Sequence, residues 1–448
     1  MAGQPDIAAG RLPPEAYEAG FEDIKPPLTA GQAVIEASRC YFCYDAPCIE
    51  ACPTGIDIPS FIRNIFTGNL KGSAIDILGA NIFGGICARV CPTEILCEQA
   101  CVRNAQEHKP VNIGLLQRHA TDNFFEAGAQ PFERAPSTGK RVAVVGAGPA
   151  GLSCAHRLAV LGHDVTVFDA RDKAGGLNEY GIAAYKVPDG FAQRELDFIL
   201  GIGGITVETG RRLGADLALG DLRRDHDAVF LGLGQGGVRA LGLDGEGVEG
   251  VEAAVDYIAA LRQAPDKAGL PVGRRVVVIG GGNTAIDIAV QSRRLGAEDV
   301  TLCYRRGPAQ MSATEHEQEI AQTNGVKIKH WVMPVRIGSE NGHITEVELE
   351  YTQLDDDGRL TGTGDRTVLQ ADMLFTAIGQ AFVPDAVQNG SAQPLDIQDG
   401  RIVVNEDRQT SLPDVFAGGD CIAGVDLTVQ AVEDGKVAAV AIDRFLKS

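Results

Sequence analysis

The chain has 448 residues, a length typical of about three domains, and 44% of them are hydrophobic, as in an ordinary folded protein. Its formal net charge of −20 disfavours binding to the phosphate backbone of nucleic acid. No run of 18 apolar residues predicts a membrane span, and the N-terminus lacks the basic and apolar regions of a signal peptide, so the expected location is the cytoplasm.

The N-terminal third of the chain changes character twice. Residues 1–30 are rich in proline, glycine and alanine without a clear period, and we interpret them as a loose arm. Residues 31–135 include IPSFIRNIFTGNLKGSAIDIL, in which apolar residues recur at helical spacing, so this region is predicted to be a helical domain. The stretch QPFERAPSTGK, with Pro131 and Pro136, is predicted to be a linker.

The helical region contains an unusual density of cysteine. The chain has 11 cysteines, and eight of them fall between Cys40 and Cys101. In a reducing compartment such density indicates metal rather than disulfides, and thiolates suit iron–sulfur clusters or zinc. The first block, Cys-x2-Cys-x4-Cys-x3-Cys-Pro, is a stretched relative of the bacterial ferredoxin spacing, which favours two 4Fe–4S clusters. Structural zinc and inert buried thiols are the alternatives.

After the linker, RVAVVGAGPAGLSCAHRLAVLGHDVTVFDA predicts a strand, a Gly-rich turn, a helix and a second strand. Such a turn places a pyrophosphate at the N-terminus of the helix, and the acid ending the second strand accepts hydrogen bonds from ribose. Two further small-residue loops follow, one at residues 173–177 and one at residues 418–420, and they favour FAD. A glycine-rich turn without a ligand, and Asp420 as a plain helix cap, are the alternatives. The predicted FAD residues from this pattern are Ala147, Gly148, Pro149, Ala150, Gly151, Asp169, Gly176, Leu177, Gly419 and Asp420.

The same plan returns about 134 residues later as RRVVVIGGGNTAIDIAVQSRRLGAEDVTLCYRR. The second strand ends in Arg305 and Arg306, where an NAD-preferring site would carry an acid, so we predict NADP(H) rather than NAD(H). A solvated arginine pair is the alternative. The loop residues of this site are Gly280, Gly281, Gly282, Asn283 and Thr284. We assign no acid–base catalytic residue, because hydride transfer between nicotinamide and flavin depends on stacking of the two rings.

These patterns predict an α/β fold in which an all-helical iron–sulfur domain precedes two Rossmann-like domains of a two-dinucleotide-binding flavoprotein. The predicted boundaries are residues 31–135 for two 4Fe–4S clusters, 136–268 with 380–448 for FAD, and 269–379 for NADP(H).

From about Ala30 onward the chain resembles the electron-input subunit of bacterial dihydropyrimidine dehydrogenase and the N-terminal half of the single-chain animal enzyme. More distantly, it is similar to the small subunit of glutamate synthase. The most specific part is ICARVCPTEILCEQAC followed by VNIGLLQ. The resemblance implies one cluster on Cys40, Cys43, Cys48 and Cys101, and a second on Cys52, Cys91, Cys97 and Gln117, which leaves Cys87 as a thiol without a metal.

The resemblance also implies further cofactor contacts. On the flavin side they are Leu177, Lys186, Leu213 and Thr428, and on the nicotinamide side Asn283, Thr284, Ala377, Ile378 and Gly379. Relatives usually carry proline at the position of Ala183, and the animal enzymes carry arginine at that of Lys186, so fine flavin geometry is expected to differ.

The activity implied is NADPH oxidation with electron transfer to an FMN-containing iron–sulfur partner, in a heterotetramer that reduces uracil or thymine. The sequence contains no FMN barrel of its own, so we expect a partner to be required. The alternatives are a glutamate synthase small subunit, and a non-catalytic assembly or regulatory protein that retains vestigial cofactor loops.

Overall fold

The computed structural model describes residues 6–188, 190–388 and 394–448. The first five residues of the predicted arm, residue 189 and residues 389–393 of the predicted FAD domain lie outside this description. The helices in chain order are α1 (Pro14–Gly20), α2 (Ala30–Ala37), α3 (Pro47–Glu50), α4 (Ile58–Phe66), α5 (Leu70–Ala80), α6 (Gly84–Val90), α7 (Arg103–Glu107), α8 (Ile113–Glu126), α9 (Pro149–Val160), α10 (Leu177–Tyr180), α11 (Phe191–Leu200), α12 (Leu219–Asp225), α13 (Ala254–Gln263), α14 (Asn283–Arg294), α15 (Glu315–Thr323), α16 (Asp385–Gln388) and α17 (Thr428–Lys447).

The strands in chain order are β1 (Ile7–Ala8), β2 (Arg141–Val145), β3 (Asp164–Phe168), β4 (Ile205–Glu208), β5 (Ala228–Leu231), β6 (Gly237–Val238), β7 (Val251–Ala253), β8 (Val272–Gly273), β9 (Arg275–Gly280), β10 (Asp299–Tyr304), β11 (Lys327–His330), β12 (Val332–Glu340), β13 (His343–Leu354), β14 (Leu360–Gln370), β15 (Met373–Ala377), β16 (Gln380–Ala381), β17 (Ile397–Gln398), β18 (Arg401–Ile402) and β19 (Val415–Ala417).

The chain forms two compact units, each assembled from separated segments. The nicotinamide-side unit contains the described parts of Met1–Ile24, Tyr180–Pro188 and Val238–Gln380. The flavin-side unit contains the described parts of Lys25–Glu179, Asp189–Gly237 and Ala381–Ser448. Each unit is built around a five-stranded parallel sheet, and the α/β fold class with a preceding helical iron–sulfur region is confirmed.

The sheet of the flavin-side unit has the strand order β19-β5-β2-β3-β4. Its central strand β2 pairs in parallel with β3 and β5, and four of its five residues are buried. A parallel strand covered on both faces is expected to be continuously apolar, as RVAVV is after its first residue. This arrangement is the predicted strand–turn–helix–strand unit, with α9 between β2 and β3.

The helical region packs through amphipathic helices. Helix α4 buries Ile58, Phe61, Ile62 and Ile65, which recur with the period of one helix face. Its start is fixed by the Asp57 side chain, which accepts a hydrogen bond from the Ser60 amide at 3.0 Å. The apolar residues of α4 form one core with α2, α8 and several of the cysteines.

The nicotinamide-side unit has the strand order β11-β10-β9-β15-β7, again parallel throughout. A three-stranded antiparallel sheet, β12-β13-β14, belongs to the same unit. Helix α14 follows β9 and supplies much of the buried apolar surface, together with α13 and β15.

The structure corrects two predicted boundaries. Residues 6–24 are not a loose arm, because β1 pairs with β8 and the side chains of Tyr17 and Phe21 are buried in the nicotinamide-side core. Residues 180–188 and 238–268 belong to that same unit rather than to the predicted FAD domain, and β7 within them pairs with β15. Strands β1 and β7 join this unit by pairing with strands distant in sequence, and local sequence patterns do not reveal such pairing.

In the described part of the chain, no single helix is long and apolar enough to cross a membrane. Helices α5 and α6 together have the length and apolar composition of a span, but they are bent by 87° relative to each other.

The helical region and the flavin-side sheet domain form one unit because a buried carboxylate joins them. Glu195 on α11 is fully buried and accepts hydrogen bonds from the amides of Gly85 and Ile86, at 2.8 and 3.1 Å, at the start of α6. Phe125 of α8 also packs on Phe191 and Phe198 of α11. Burial raises the pKa of Glu195 to about 8, although the two amides and Arg89 act in the opposite direction.

This raised pKa makes stability depend on pH. Below pH 8 the folded protein holds a proton on Glu195 that the unfolded chain releases near pH 4, so the free energy of unfolding falls as pH rises through this window. We expect Glu195→Gln, whose amide oxygen retains the two hydrogen bonds, to raise the thermal midpoint relative to the wild type more at pH 8 than at pH 5. Calorimetric scans at both values measure it. The same difference for Glu126→Gln, at an exposed position on α8, would contradict the assignment.

Candidate functional site

The first Gly-rich loop is shaped by contacts that exclude side chains. A Cβ on Gly151 would lie 1.9 Å from the carbonyl oxygen of Gly146, and one on Gly146 would lie 2.1 Å from that of Gly232. Gly176 approaches the same loop, since its Cβ would lie 2.7 Å from the Cα of Gly148. The chain therefore leaves backbone surface open at the N-terminus of α9, where a pyrophosphate is stabilised by the helix.

Asp169 directly follows β3 and lies beside this loop. Its carboxylate accepts hydrogen bonds from the amides of Ala147 at 2.7 Å and Arg171 at 2.8 Å. These two bonds fix both oxygens next to the glycine loop, and each oxygen keeps a lone pair for a ribose hydroxyl.

The predicted C-terminal flavin residues meet the same edge of the sheet. A Cβ on Gly419 would lie 3.0 Å from the Cβ of Ala150 at the start of α9. Burial, followed by repulsion from Asp426, raises the pKa of the neighbouring Asp420 to about 6. Thr428 begins α17 and its hydroxyl lies 3.2 Å from Asn178 Oδ1, next to Leu177. These residues fit an extended dinucleotide cofactor lying along α9.

Two other residues predicted for the flavin side have largely buried side chains. Leu213 is buried among apolar side chains of the flavin-side core. Lys186 belongs to the nicotinamide-side unit, where its Nζ lies 2.7 Å from both Asp287 Oδ1 and Glu317 Oε1. Burial lowers the pKa of Lys186, but the two carboxylates together raise it by more. The net shift of the pKa is therefore upward, and the ammonium group is retained.

The second Gly-rich loop repeats the first in its packing. A Cβ on Gly280 would lie 2.3 Å from the carbonyl oxygen of Ala377 on β15, which brings the loop together with residues 377–379. A Cβ on Gly281 would lie 2.4 Å from the Tyr304 ring. Gly282 is the N-cap of α14. The predicted nicotinamide-nucleotide residues of this loop therefore lie side by side at the carboxyl edge of the sheet.

Arg305 and Arg306 follow Tyr304 at this edge. Arg305 is exposed and Arg306 is half-buried. Neither guanidinium makes a hydrogen bond or ion pair with any residue that the structure describes, whereas Arg336 and Arg366 on the neighbouring sheet pair with glutamates. Two unpaired guanidiniums beside a dinucleotide loop can bind a phosphate in bidentate fashion.

The first group of predicted cluster ligands surrounds one cavity. Cys40, Cys43, Cys48 and Cys101 line it together with apolar side chains that include Ile58, Ile62 and Ile113. Burial raises the pKa of Cys48 to about 12, with Cys40 and Cys101 adding to the shift. In the described chain no three His, Cys, Asp or Glu side chains converge on a single ion. Four sulfurs around a cavity match the ligand set of a 4Fe–4S cubane.

In the second group of predicted ligands, Cys91 lies near two other members, Cys52 and Cys97. A hydrogen bond with the thiol of Cys87, followed by burial, raises the pKa of Cys91, and Cys97 and Cys52 are close enough to add to the shift. Cys87, assigned no metal, thus lies near Cys91, one of the three predicted ligand cysteines. Gln117 is buried on α8, and its Nε2 donates to the carbonyl oxygen of Gly84 at 2.7 Å, which leaves only Oε1 for a metal.

The sequence prediction missed residues that contact these groups. The hydroxyl of Thr54 lies 3.3 Å from the sulfur of Cys52. Glu98 is half-buried and accepts a hydrogen bond from the Gly114 amide at 3.0 Å, next to Cys97. Nothing in the sequence distinguishes Thr54 or Glu98 from ordinary loop residues, because their partners are defined only by folding.

The chain matches two known families. Residues 140–435 match the pyridine nucleotide-disulphide oxidoreductase family, and residues 17–129 match dihydropyrimidine dehydrogenase domain II, 4Fe-4S cluster. The first match spans both Gly-rich loops, and the second spans all eight clustered cysteines.

Two curated relatives are similar over almost their entire length. The NAD-dependent dihydropyrimidine dehydrogenase subunit PreT of Salmonella typhimurium is 34% identical over 436 residues, covering 97% of this chain and 99% of that protein. The glutamate synthase [NADPH] small chain of Escherichia coli is 35% identical over 448 residues, covering 95% and 94%.

Among solved structures, Mycobacterium tuberculosis FprA in complex with NADPH has a TM-score of 0.57 at 21% identity, covering 70% of this chain and 85% of that one. Thioredoxin reductase of T. acidophilum has a TM-score of 0.52 at 19% identity, covering 69% and 100%. These likenesses support the two-dinucleotide-binding fold.

The glycine loops, the cysteine-lined cavity and these matches lead to one conclusion. The chain belongs to the pyridine nucleotide-disulphide oxidoreductase family, as an NAD(P)H-dependent electron-transfer flavoprotein that carries an iron–sulfur domain of the dihydropyrimidine dehydrogenase type.

Proposed function

We propose that this protein oxidises NADPH and passes electrons through FAD and two 4Fe–4S clusters to an FMN-containing iron–sulfur partner that reduces uracil or thymine. The observation that carries the proposal is the cavity lined by Cys40, Cys43, Cys48 and Cys101, in the same unit as the flavin loop. FAD accepts a hydride and releases single electrons, which is the conversion needed between a nicotinamide and an iron–sulfur cluster.

The chain's own groups bind and orient the cofactors. We propose that the backbone of residues 146–151 and Gly176 holds the FAD pyrophosphate, Asp169 the ribose, and Gly419, Asp420 and Thr428 the flavin end. The close contacts of Gly176 with Gly148 and of Gly419 with Ala150 support this grouping. Leu177, Leu213 and Lys186 complete the set proposed from the family resemblance.

We propose that the NADP(H) site consists of residues 280–284 and 377–379, with Arg305 and Arg306 on the 2′-phosphate. Their unpaired guanidiniums support NADPH over NADH. One relative is named NAD-dependent and another carries NADPH in its name, so relatives differ in this respect.

For the clusters we propose two ligand sets. The first is Cys40, Cys43, Cys48 and Cys101, which share a cavity. The second is Cys52, Cys91, Cys97 and Gln117. The family resemblance assigns Gln117 rather than Cys87 as the fourth ligand. The hydrogen bond from Gln117 Nε2 to the Gly84 carbonyl oxygen leaves Oε1 for a metal and supports this choice.

The partner is proposed to be an FMN and iron–sulfur catalytic subunit, assembled with this chain as a heterotetramer. The relative named as a dihydropyrimidine dehydrogenase subunit supports this choice. The glutamate synthase small chain, of equal similarity, supports the second candidate, in which the partner forms glutamate.

The cofactor content is the first test. Protein purified without oxygen is expected to contain about eight irons and about one FAD per chain, without FMN, since each cubane holds about four irons. Iron analysis and chromatography of the released flavin measure it. About four irons, or none, would contradict the two-cluster proposal.

The second test concerns the nicotinamide. We expect Arg305→Ala with Arg306→Ala to raise the KM for NADPH by about 10- to 100-fold and to leave that for NADH unchanged, because a charge-assisted hydrogen bond contributes about 1.5–3 kcal/mol. Steady-state reduction of an artificial acceptor measures both. Arg359→Ala, at an exposed arginine of the same unit, is the control. Equal changes for the two coenzymes would exclude the 2′-phosphate role.

The third test identifies the partner. The chain is co-purified with its bound subunit, and NADPH-dependent reduction of uracil or thymine is assayed by loss of the pyrimidine absorbance. We expect reduction with the complex and none with this chain alone, which lacks a pyrimidine site in our proposal. Glutamate formation from glutamine and 2-oxoglutarate by the complex would instead establish the second candidate.

A further inference from the structure

Thr54 is a buried hydroxyl residue in contact with a proposed cluster ligand. It follows Cys52 and Pro53, and only 3% of its surface is exposed. Its Oγ1 lies 3.3 Å from the sulfur of Cys52, within hydrogen-bond distance for a sulfur atom. The turn is closed by a hydrogen bond from the Gly55 amide to the Cys52 carbonyl oxygen at 2.9 Å.

The direction of this hydrogen bond follows from the chemistry of the ligand. A cysteine bound to iron is a thiolate and has no proton to donate, so the Thr54 hydroxyl must be the donor. A hydrogen bond to a ligand sulfur stabilises the more negative, reduced form of the cluster more than the oxidised form. Burial strengthens the effect, because a low dielectric screens it less.

We propose that Thr54 is a positioning residue that donates a hydrogen bond to the sulfur of Cys52 and raises the reduction potential of the second cluster. This rests on the proposed function, which assigns Cys52 to that cluster. The Thr54 hydrogen bond affects the free energy of electron transfer between flavin and cluster, and not the binding of FAD or NADPH.

The position of Thr54 is itself fixed from the flavin side. Lys436 Nζ donates to the carbonyl oxygens of Thr54 at 3.0 Å and Ala80 at 3.2 Å. Lys436 lies on α17, and Glu433 on the preceding turn pairs with it at 2.6 Å. Helix α17 begins at Thr428, in the proposed flavin site, so one rigid helix connects that site to the residue beside Cys52.

The test is a redox titration followed by electron paramagnetic resonance of the anaerobic holoprotein. Thr54→Val removes the hydroxyl at almost constant volume and is expected to lower the potential of one of the two cluster transitions. An equilibrium constant up to about tenfold smaller corresponds to about 59 mV for a one-electron couple. Thr54→Ser retains the donor and is expected to keep the wild-type potential.

Ser73→Ala is the matched control, because the Ser73 hydroxyl is also buried in this domain but donates to the Phe61 carbonyl oxygen. A wild-type potential in Thr54→Val at full iron content would overturn the inference. If valine causes loss of iron, Thr54→Ala replaces it. Loss of iron from both variants but not from Thr54→Ser would show that the hydroxyl retains the cluster instead of tuning it, and would equally overturn the inference.

The iron content of the wild type separates this inference from the proposed function. About eight irons with unshifted potentials in the variant would exclude only the role of Thr54, whereas fewer irons in the wild type would exclude the two-cluster proposal itself.

Discussion

The flavin-side unit depends on the close contact between α9 and α17. A Cβ on Gly435 of α17 would lie 2.1 Å from the carbonyl oxygen of Ala150, so only glycine permits the approach. The Ser153 hydroxyl of α9 donates to the carbonyl oxygen of Val432 at 2.7 Å across the same contact. Because α9 begins at the first Gly-rich loop and α17 follows the loop at residues 419–421, this packing determines how near the two loops come. Lys436 follows Gly435, so the same helix contact also places the Lys436 ammonium group within hydrogen-bond distance of the helical region.

In the nicotinamide-side unit a buried ionic group has a comparable role. Lys186 joins Asp287 of α14 to Glu317 of α15, and the hydroxyl of Tyr185 donates to Asp287 at 3.3 Å. Helix α14 follows the second Gly-rich loop, and α15 follows the segment that carries the arginine pair. Removing the lysine from between the two carboxylates costs free energy, because it would leave uncompensated buried charges. One network therefore joins the helix that follows the loop to the helix that follows the arginine segment.

Much of the fold and part of the site could be predicted from the sequence, because the relevant signals are local. The runs RVAVV and RRVVVIG predict buried parallel strands, and of the glycines in the two loops Gly146, Gly151, Gly280 and Gly281 are required by contacts under 2.5 Å. The common cavity of Cys40, Cys43, Cys48 and Cys101 was predicted from the family resemblance. Contacts between distant segments were not predictable: nothing near Ile7 indicates strand pairing with Gly273, and nothing near Glu195 indicates that it caps α6. Cys87 was set aside on resemblance, yet it is buried and influences the pKa of Cys91.

The order of the segments along the chain has a consequence for synthesis on the ribosome. The helical region with its cysteines emerges early, but Lys436, which holds Thr54 and Ala80, lies within the last 20-residue helix. In the nicotinamide-side sheet, β15 lies between β7 and β9, although it follows both of them in the chain. This sheet therefore cannot form until β15 has been made. Contacts of such long sequence separation form late and slowly. The flavin-side unit therefore cannot close until α17 has been made, whereas the nicotinamide-side unit, whose last segment ends at Gln380, depends on no later part of the chain.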